Sequence, residues 1–172
     1  GKFQKKKEKI RSGILGLDFC NKCKLVQLSN SFNQKHLFST DYGYKTGLNK
    51  TMTDHMKAVH KTVVKKVNLK NNDQVLDIAC NDGTLLNLHD RKINTFGIDP
   101  VSRKYKFNFK KRNHVIYDFF SAAKLKNKTN RKFKIITALS VFYDLDNPNK
   151  FLKDVNEILE LDEVCLIEHA DL

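Results

Sequence analysis

Asp77 stands near the end of an apolar run, Val75-Leu76-Asp77-Ile78, which is followed by Ala79-Cys80-Asn81-Asp82-Gly83-Thr84 and then Leu85-Leu86. An acid at the end of an apolar strand, then a turn of small residues leading into a helix, lets backbone approach a ligand closely; Ala79 and Gly83 are the residues small enough to allow it. The turn holds a single glycine, so it is not the G-x-G-x-x-G fingerprint that cradles a pyrophosphate. A cofactor without a pyrophosphate suits it better. A second acid, Asp99, stands in Gly97-Ile98-Asp99-Pro100. That is roughly the 20-residue spacing at which a carboxylate reaches ribose hydroxyls. A third, Asp118, begins Asp118-Phe119-Phe120-Ser121, an acid and an aromatic able to bond an adenine amine and pack against its face. Acids at the ends of neighbouring strands fit a nucleoside that carries sulfonium and ammonium cations.

These residues need strands to hold them. Val75–Ile78, Thr95–Asp99, Val115–Asp118, Lys134–Leu139 and Val164–Glu168 read as short buried strands. Between and before them the period changes. Leu48, Met52, Met56, Val59, Val63 and Val67 recur at three- and four-residue spacing and predict a helix over 48–67. Phe151, Leu152, Val155, Ile158 and Leu159 predict another over 149–159, and Leu85–Leu88 opens a third. Strands alternating with helices imply an α/β fold, a mostly parallel sheet flanked by crossover helices. Ligands in such sheets sit at the carboxyl ends of the strands, where Asp77, Asp99 and Asp118 fall. Residues 103–113 and 124–134 read as charged connectors. Ahead of this pattern, Cys20-Asn21-Lys22-Cys23 reads as a tight turn entering a strand, Leu25–Leu28, and 29–47 as loop and short helix.

The chain has 172 residues, 40% hydrophobic and 30% charged, the composition of a globular domain with a proper core. No apolar run approaches the ~20 residues of a membrane-spanning helix, so no membrane partner is expected. The start is basic but lacks an apolar stretch after it, which predicts no secretory signal, and the leading Gly1 predicts a piece of a longer protein. Four cysteines, only two of them close, argue against a disulfide framework and for a reducing, cytoplasmic compartment. The net charge is +13. It is carried mostly by Lys rather than by Arg, the residue favoured for bidentate phosphate and base contacts.

Taken together, these segments resemble the class I S-adenosylmethionine-dependent methyltransferases and, more narrowly, the sugar C-methyltransferase family of deoxysugar biosynthesis. Four stretches carry the likeness: Cys20 to Leu28, similar to half of a zinc-binding motif; Tyr42-Gly43-Tyr44-Lys45-Thr46-Gly47-Leu48-Asn49 with Met52 and His55, similar to a Tyr-rich motif; Val75 to Leu86 with Gly97 to Pro100, similar to the cofactor motifs; and Phe142 to Pro148. The resemblance implies a Rossmann-like methyltransferase domain over 48–172 and a zinc-segment remnant with a Tyr-rich linker over 1–47. It implies S-adenosylmethionine as cofactor, held by Tyr44, Asp77, Ala79, Asn81, Gly83, Asp99, Pro100, Asp118, Phe119 and Ser140. It implies C-methylation of a nucleotide-linked keto sugar, with Tyr42 and Asp144 on the catalytic side. Zinc would take Cys20 and Cys23, which are half of a four-ligand site; His36 and His55 are conceivable but unfavoured completions. The family's deprotonating His-Glu-His segment would fall beyond Leu172, and Glu168-His169 does not match it.

Two other readings stay open. Arg103 to Arg112 alternates basic and aromatic residues, as a nucleic-acid methyltransferase would to track phosphates and stack bases. Alternatively the chain is a non-catalytic binding module.

Overall fold

The computed structural model describes residues 12–169. The chain divides into two compact units, meeting in sequence at Gly43 and Tyr44.

In the first unit, strands β1 (Leu17–Phe19) and β2 (Val26–Leu28) pair antiparallel, with Leu17 opposite Leu28 and Phe19 opposite Val26. The Cys-x-x-Cys turn closes this hairpin. The Lys24 N–H donates to the Cys20 carbonyl at 2.8 Å, and the Cys20 N–H donates to the Leu25 carbonyl at 2.9 Å. Lys24 takes a left-handed φ of 63° to complete the turn. A single helical turn, α1 (Gln34–Leu37), follows, capped by the Asn33 side chain.

The second unit opens with a 3₁₀ turn, Thr46–Leu48, and a long helix, α2 (Lys50–Lys66). Asn49 caps α2, its side chain accepting the Met52 N–H at 2.7 Å, which satisfies one of the helix's unpaired donors. Five strands then form one sheet: β3 (Gln74–Ile78), β4 (Asn94–Ile98), β5 (His114–Ile116), β6 (Phe133–Leu139) and β7 (Leu159–Glu168). Their order is β5-β4-β3-β6-β7, and every pairing is parallel. The chain starts at the middle strand, winds outward one way through β4 and β5, and then the other way through β6 and β7. The switch point therefore lies between β3 and β6, where such sheets hold their ligands. This is the parallel, helix-flanked α/β sheet that the strand and helix pattern predicts, in the Rossmann-like form that the resemblance implies.

Side-chain alternation sends the strands' apolar residues to both faces. Leu76, Ile78, Phe96, Ile98, Ile136 and Ala138 pack against α3 (Ala122–Lys126) and α4 (Pro148–Ile158). Val75 and Ile135 face Val63 of α2 and Val67, its C-cap residue, on the other side. Helix α4 starts where Asn147 caps it and Pro148 takes its first position, a place where the missing N–H costs nothing.

Several elements differ from the sequence reading, among them β5, which ends at Ile116 and leaves Asp118 two residues beyond it. Leu85–Leu88 does not open a full helix; only Leu86–Leu88 forms a 3₁₀ turn. Side chains from further along the chain donate to carbonyls in and just beyond this turn. Lys110 donates to the Asn87 carbonyl, and Arg112 donates to those of His89 and Asp90. The stretch expected as charged connector is a kinked 3₁₀ run over Val101–Asn108, bent at Tyr105. Strand β7 starts five residues earlier than Val164, because Leu159 pairs with Phe133 across an irregularity in the register; the acids Glu160, Asp162 and Glu163 conceal it.

Candidate functional site

Asp77, Ala79, Asn81, Gly83 and Asp99 converge at the carboxyl end of the switch point. Asp77 lies near the end of β3 and is 6% exposed. Its Oδ1 accepts the Thr137 hydroxyl of β6 at 2.7 Å. Burial pushes its carboxyl up to about 7, against the pull of the Thr137 hydrogen bond and with help from the nearby Asp99 charge. Thr137 was not singled out from the sequence. The signal was there, as a polar residue in the middle of the buried run Ile135–Leu139.

The turn after β3 is built from left-handed backbone. Ala79 has φ 59°, Asn81 φ 48° and Gly83 φ 78°. Conformations that favour glycine are thus held by two residues with a Cβ, at roughly 1 kcal/mol or more each. Asp99 stabilises the turn from the next strand. Its Oδ2 accepts the Asn81 N–H at 2.8 Å and its Oδ1 accepts the Val101 N–H at 2.6 Å. It is 5% exposed, and burial raises its carboxyl against those backbone hydrogen bonds. The Ser102 N–H also bears on this carboxylate, and of the ~4 lone-pair sites a carboxylate offers, these backbone donors do not use all.

The segment before α2 is tied to the same turn. The Asn81 side-chain oxygen accepts the Thr46 N–H at 2.9 Å, and its amide donates to the Tyr44 carbonyl. Asp82 accepts the Gly47 N–H at 3.0 Å and the Thr84 hydroxyl at 2.7 Å. A Cβ at Gly47 would lie 2.7 Å from the Thr84 hydroxyl and 2.8 Å from the Asp82 carboxylate, so glycine is needed for the close approach. Tyr44 enters through its backbone, whose carbonyl also accepts the Tyr105 hydroxyl at 2.9 Å. Thr46, Gly47, Asp82 and Tyr105 complete the arrangement and were not picked out from spacing, since their partners lie decades of residues away.

The remaining sequence-selected residues are placed as follows. Pro100 starts the 3₁₀ run after β4. Asp118, two residues past β5, accepts the Phe119 N–H at 2.7 Å and pairs with Lys124 at 2.8 Å; Phe119 is half-buried beside it. Ser140 follows β6 with φ 52°, its N–H donating to the Glu168 carbonyl at 2.8 Å. Asp144 ends a short 3₁₀ turn after β6, and partial burial raises its carboxyl. Tyr42 lies in the first unit, packed edge-on against Phe38 at 5.4 Å.

Cys20 and Cys23 sit together in the β1–β2 turn, and backbone and side-chain hydrogen bonds involving Cys23 lower the Cys20 thiol. Two thiols supply half of a tetrahedral zinc site. No cluster of three His, Cys, Asp or Glu suited to a metal exists among the described residues, so a closed zinc site is not formed there, and neither His36 nor His55 completes one. No helix among the described residues is long and apolar enough to cross a membrane.

Solved structures share the fold. The plantazolicin methyltransferase BpumL, in complex with a triazolic desmethylPZN analogue and SAH, is 17% identical with a TM-score of 0.50, over 67% of this chain and 46% of that one. The precorrin 8w decarboxylase of Methanobacterium thermoautotrophicum is 12% identical with a TM-score of 0.50, over 64% of this chain and 61% of that one. The plantazolicin methyltransferase BamL is 21% identical with a TM-score of 0.49, over 64% and 44%. The chain thus spans less than half the length of the plantazolicin methyltransferases. No curated protein matches it in sequence. A family model described as a methyltransferase domain matches residues 48–172, which covers the whole sheet, its helices and the Asp77–Asp99 turn, and the chain accordingly belongs to the methyltransferase-domain family.

Proposed function

We propose that this chain binds S-adenosylmethionine along the carboxyl edge of β3, β4 and β5 and belongs to an enzyme that methylates a small molecule. The observation that carries the reading is the turn Ala79–Gly83, held in left-handed backbone and pinned to the Asp99 carboxylate. That arrangement leaves acceptor lone pairs of a buried acid beside a turn able to admit a ligand's ribose. Asp77 supplies a polar anchor toward the methionine end, and Asp118 with Phe119 one toward the adenine. Two of the structural neighbours, BpumL and BamL, are in complex with SAH, which supports the cofactor. When bound, the cofactor supplies an electrophilic methyl group on a sulfonium.

For the acceptor, the reading is a nucleotide-linked keto sugar methylated at carbon next to its ketone. The support is the order of four segments, from Cys20-x-x-Cys23 through Tyr42–Asn49 and the cofactor motifs to Phe142–Pro148. The same resemblance assigns Tyr42 and Asp144 to the acceptor. A nucleic-acid acceptor has one observation in its favour: the Val101–Asn108 run exposes Phe107 at 88%, with Lys106 over its ring at 4.8 Å.

The test is calorimetric titration with S-adenosylmethionine and S-adenosylhomocysteine, on the wild type, Asp99→Asn and Asp99→Ala. Micromolar binding that weakens at least tenfold in folded Asp99→Asn establishes the site; losing one charge-assisted hydrogen bond is worth about 1.5–3 kcal/mol. Folded wild type that binds neither compound removes the reading.

A further inference from the structure

We propose that the amino end of the sheet, on the face that packs against α3 and α4, carries a small-molecule site that takes a flat aromatic carboxylate. The site lies at the opposite end of the strands from the Ala79–Gly83 turn and does not depend on the cofactor reading. It is a cavity of about 410 Å³, within the ~300–1,000 Å³ of ordinary ligand pockets.

The cavity follows from the length of α3. A crossover helix running back along the whole sheet covers both ends of its strands. Helix α3 has five residues, Ala122–Lys126, which is about 7.5 Å at ~1.5 Å per residue. A five-residue strand such as β4 is about 16 Å long. Ala122 and Leu125 are buried in the core of this face, but the helix stops there. Lys128 and Thr129, just past it, stand beside the amino ends of the strands and form one wall. The strands supply the floor. Gln74, Asn94 and His114 are the first residues of β3, β4 and β5. Alternation puts Gln74 on the face of Leu76 and Ile78, Asn94 on that of Phe96 and Ile98, and His114 on that of Ile116. All three line the cavity, together with Phe96 and Ile116.

The lining selects the ligand. Phe96 and His114 are register partners across β4 and β5, and their rings stack with centroids 4.8 Å apart and planes 25° from parallel. Phe96 is buried and also meets Phe133 edge-on, whereas His114 is exposed. A flat ring entering the cavity extends this stack from the imidazole side, the offset arrangement that aromatic pairs favour. The cation is Lys128. The basic residues around it are neutralised, Lys126 by Glu157 and both Arg131 and Lys134 by Asp73. Lys128 pairs with no carboxylate among the described residues, and none of the residues lining the cavity is acidic. The uncharged polar lining is already engaged. Gln74 and Thr129 bond each other at 2.8 Å, and the Asn94 amide donates to the Asn72 carbonyl at 3.0 Å. A neutral ring would stack and leave Lys128 unpaired, and a bare anion would pair and forgo the stack. A ring bearing a carboxylate uses both.

The experiment is an NMR titration of the isotope-labelled chain with 2-naphthoate, beside 2-naphthamide, which has the same rings and no charge. The expected result is a saturable shift of the His114, Val115 and Thr129 amides and of the His114 Cε1–H, retained when excess S-adenosylhomocysteine is present. Lys128→Gln should weaken 2-naphthoate about three- to fivefold, the scale of a solvent-exposed ion pair, and leave 2-naphthamide unchanged. His114→Ala should weaken both. The chain carries a net charge of +13 and attracts any anion diffusely, so Lys106→Gln, in the Val101–Asn108 run, serves as the control and should change neither. Lys106, His114 and Lys128 are all exposed, and the spectra themselves report that the variants are folded. Absence of a saturable shift at these residues, displacement by S-adenosylhomocysteine, or equal weakening in Lys128→Gln and Lys106→Gln overturns the proposal.

Discussion

Asp77→Asn is expected to stabilise the protein at neutral pH while weakening the site. In the folded chain burial holds the Asp77 carboxyl up at about 7, with the Thr137 hydroxyl opposing and the Asp99 charge assisting. In the unfolded chain it titrates near the ordinary ~3.9. Between those values the native state keeps a proton that the unfolded state has lost, so stability falls as pH rises from about 4 to about 7 and is level beyond. Three units at 1.36 kcal/mol per unit give roughly 4 kcal/mol for the full window, an upper magnitude. Asn keeps the shape and can still accept the Thr137 hydroxyl, and it removes the charge. The variant should therefore match the wild type near pH 4.5 and exceed it by about 2–4 kcal/mol at pH 8. For a chain of this size that is about 4–16 °C in Tm.

The wild-type curve alone would hide this effect. His89 is held down to about 3, by burial first and then by His60 and Arg112. A histidine kept neutral in the fold loses stability as pH falls below ~6.5, opposite in sign to Asp77 over the shared window. The quantity to measure is the difference between variant and wild type, by urea unfolding at pH 4.5, 6, 7 and 8. A difference that stays constant with pH would refute the raised carboxyl and the reasoning built on it.

Other expectations concern the same turn and its surroundings. His89→Gln should remove a loss of up to about 2 kcal/mol between pH 6.5 and 5, seen as a flatter acid limb in thermal melts; an unchanged limb would show that His89 titrates normally. Gly83→Ala should destabilise by about 1–3 kcal/mol, because φ is 78° and the new Cβ would lie 2.5 Å from the Phe109 ring; Ala79→Gly, relieving a left-handed alanine, should be neutral or stabilising by up to ~1 kcal/mol. Both are read from chemical denaturation, and reversal of their order would contradict the turn geometry. Thr137→Val should cost about 1 kcal/mol and raise the Asp77 carboxyl further, a displacement that carboxyl-carbon NMR titration would detect.

Local chemistry determined much of this molecule. Alternation and period place β3, β4, β6, α2 and α4 because each must bury an apolar stripe or face, and an acid at a strand end announces its position with no knowledge of its neighbours. The three acids Asp77, Asp99 and Asp118 could be read that way. So could the Asn81-Asp82-Gly83 turn, since a small-residue turn between strand and helix is a local signal. Tertiary structure decided the rest. That Leu85–Leu88 yields only a 3₁₀ turn is not written in its own residues; Lys110 and Arg112, more than twenty residues away, donate to the Asn87 and His89 carbonyls in and just beyond it. The left-handed conformations of Ala79 and Asn81 persist because Asp99 and the Tyr44–Gly47 segment bind the turn from outside. Thr137 meets Asp77, and Glu168 meets His55, only through strand register and the packing of α2. Pairings across sixty or a hundred residues leave no spacing to read, because the chain between them is free to vary until the sheet is assembled.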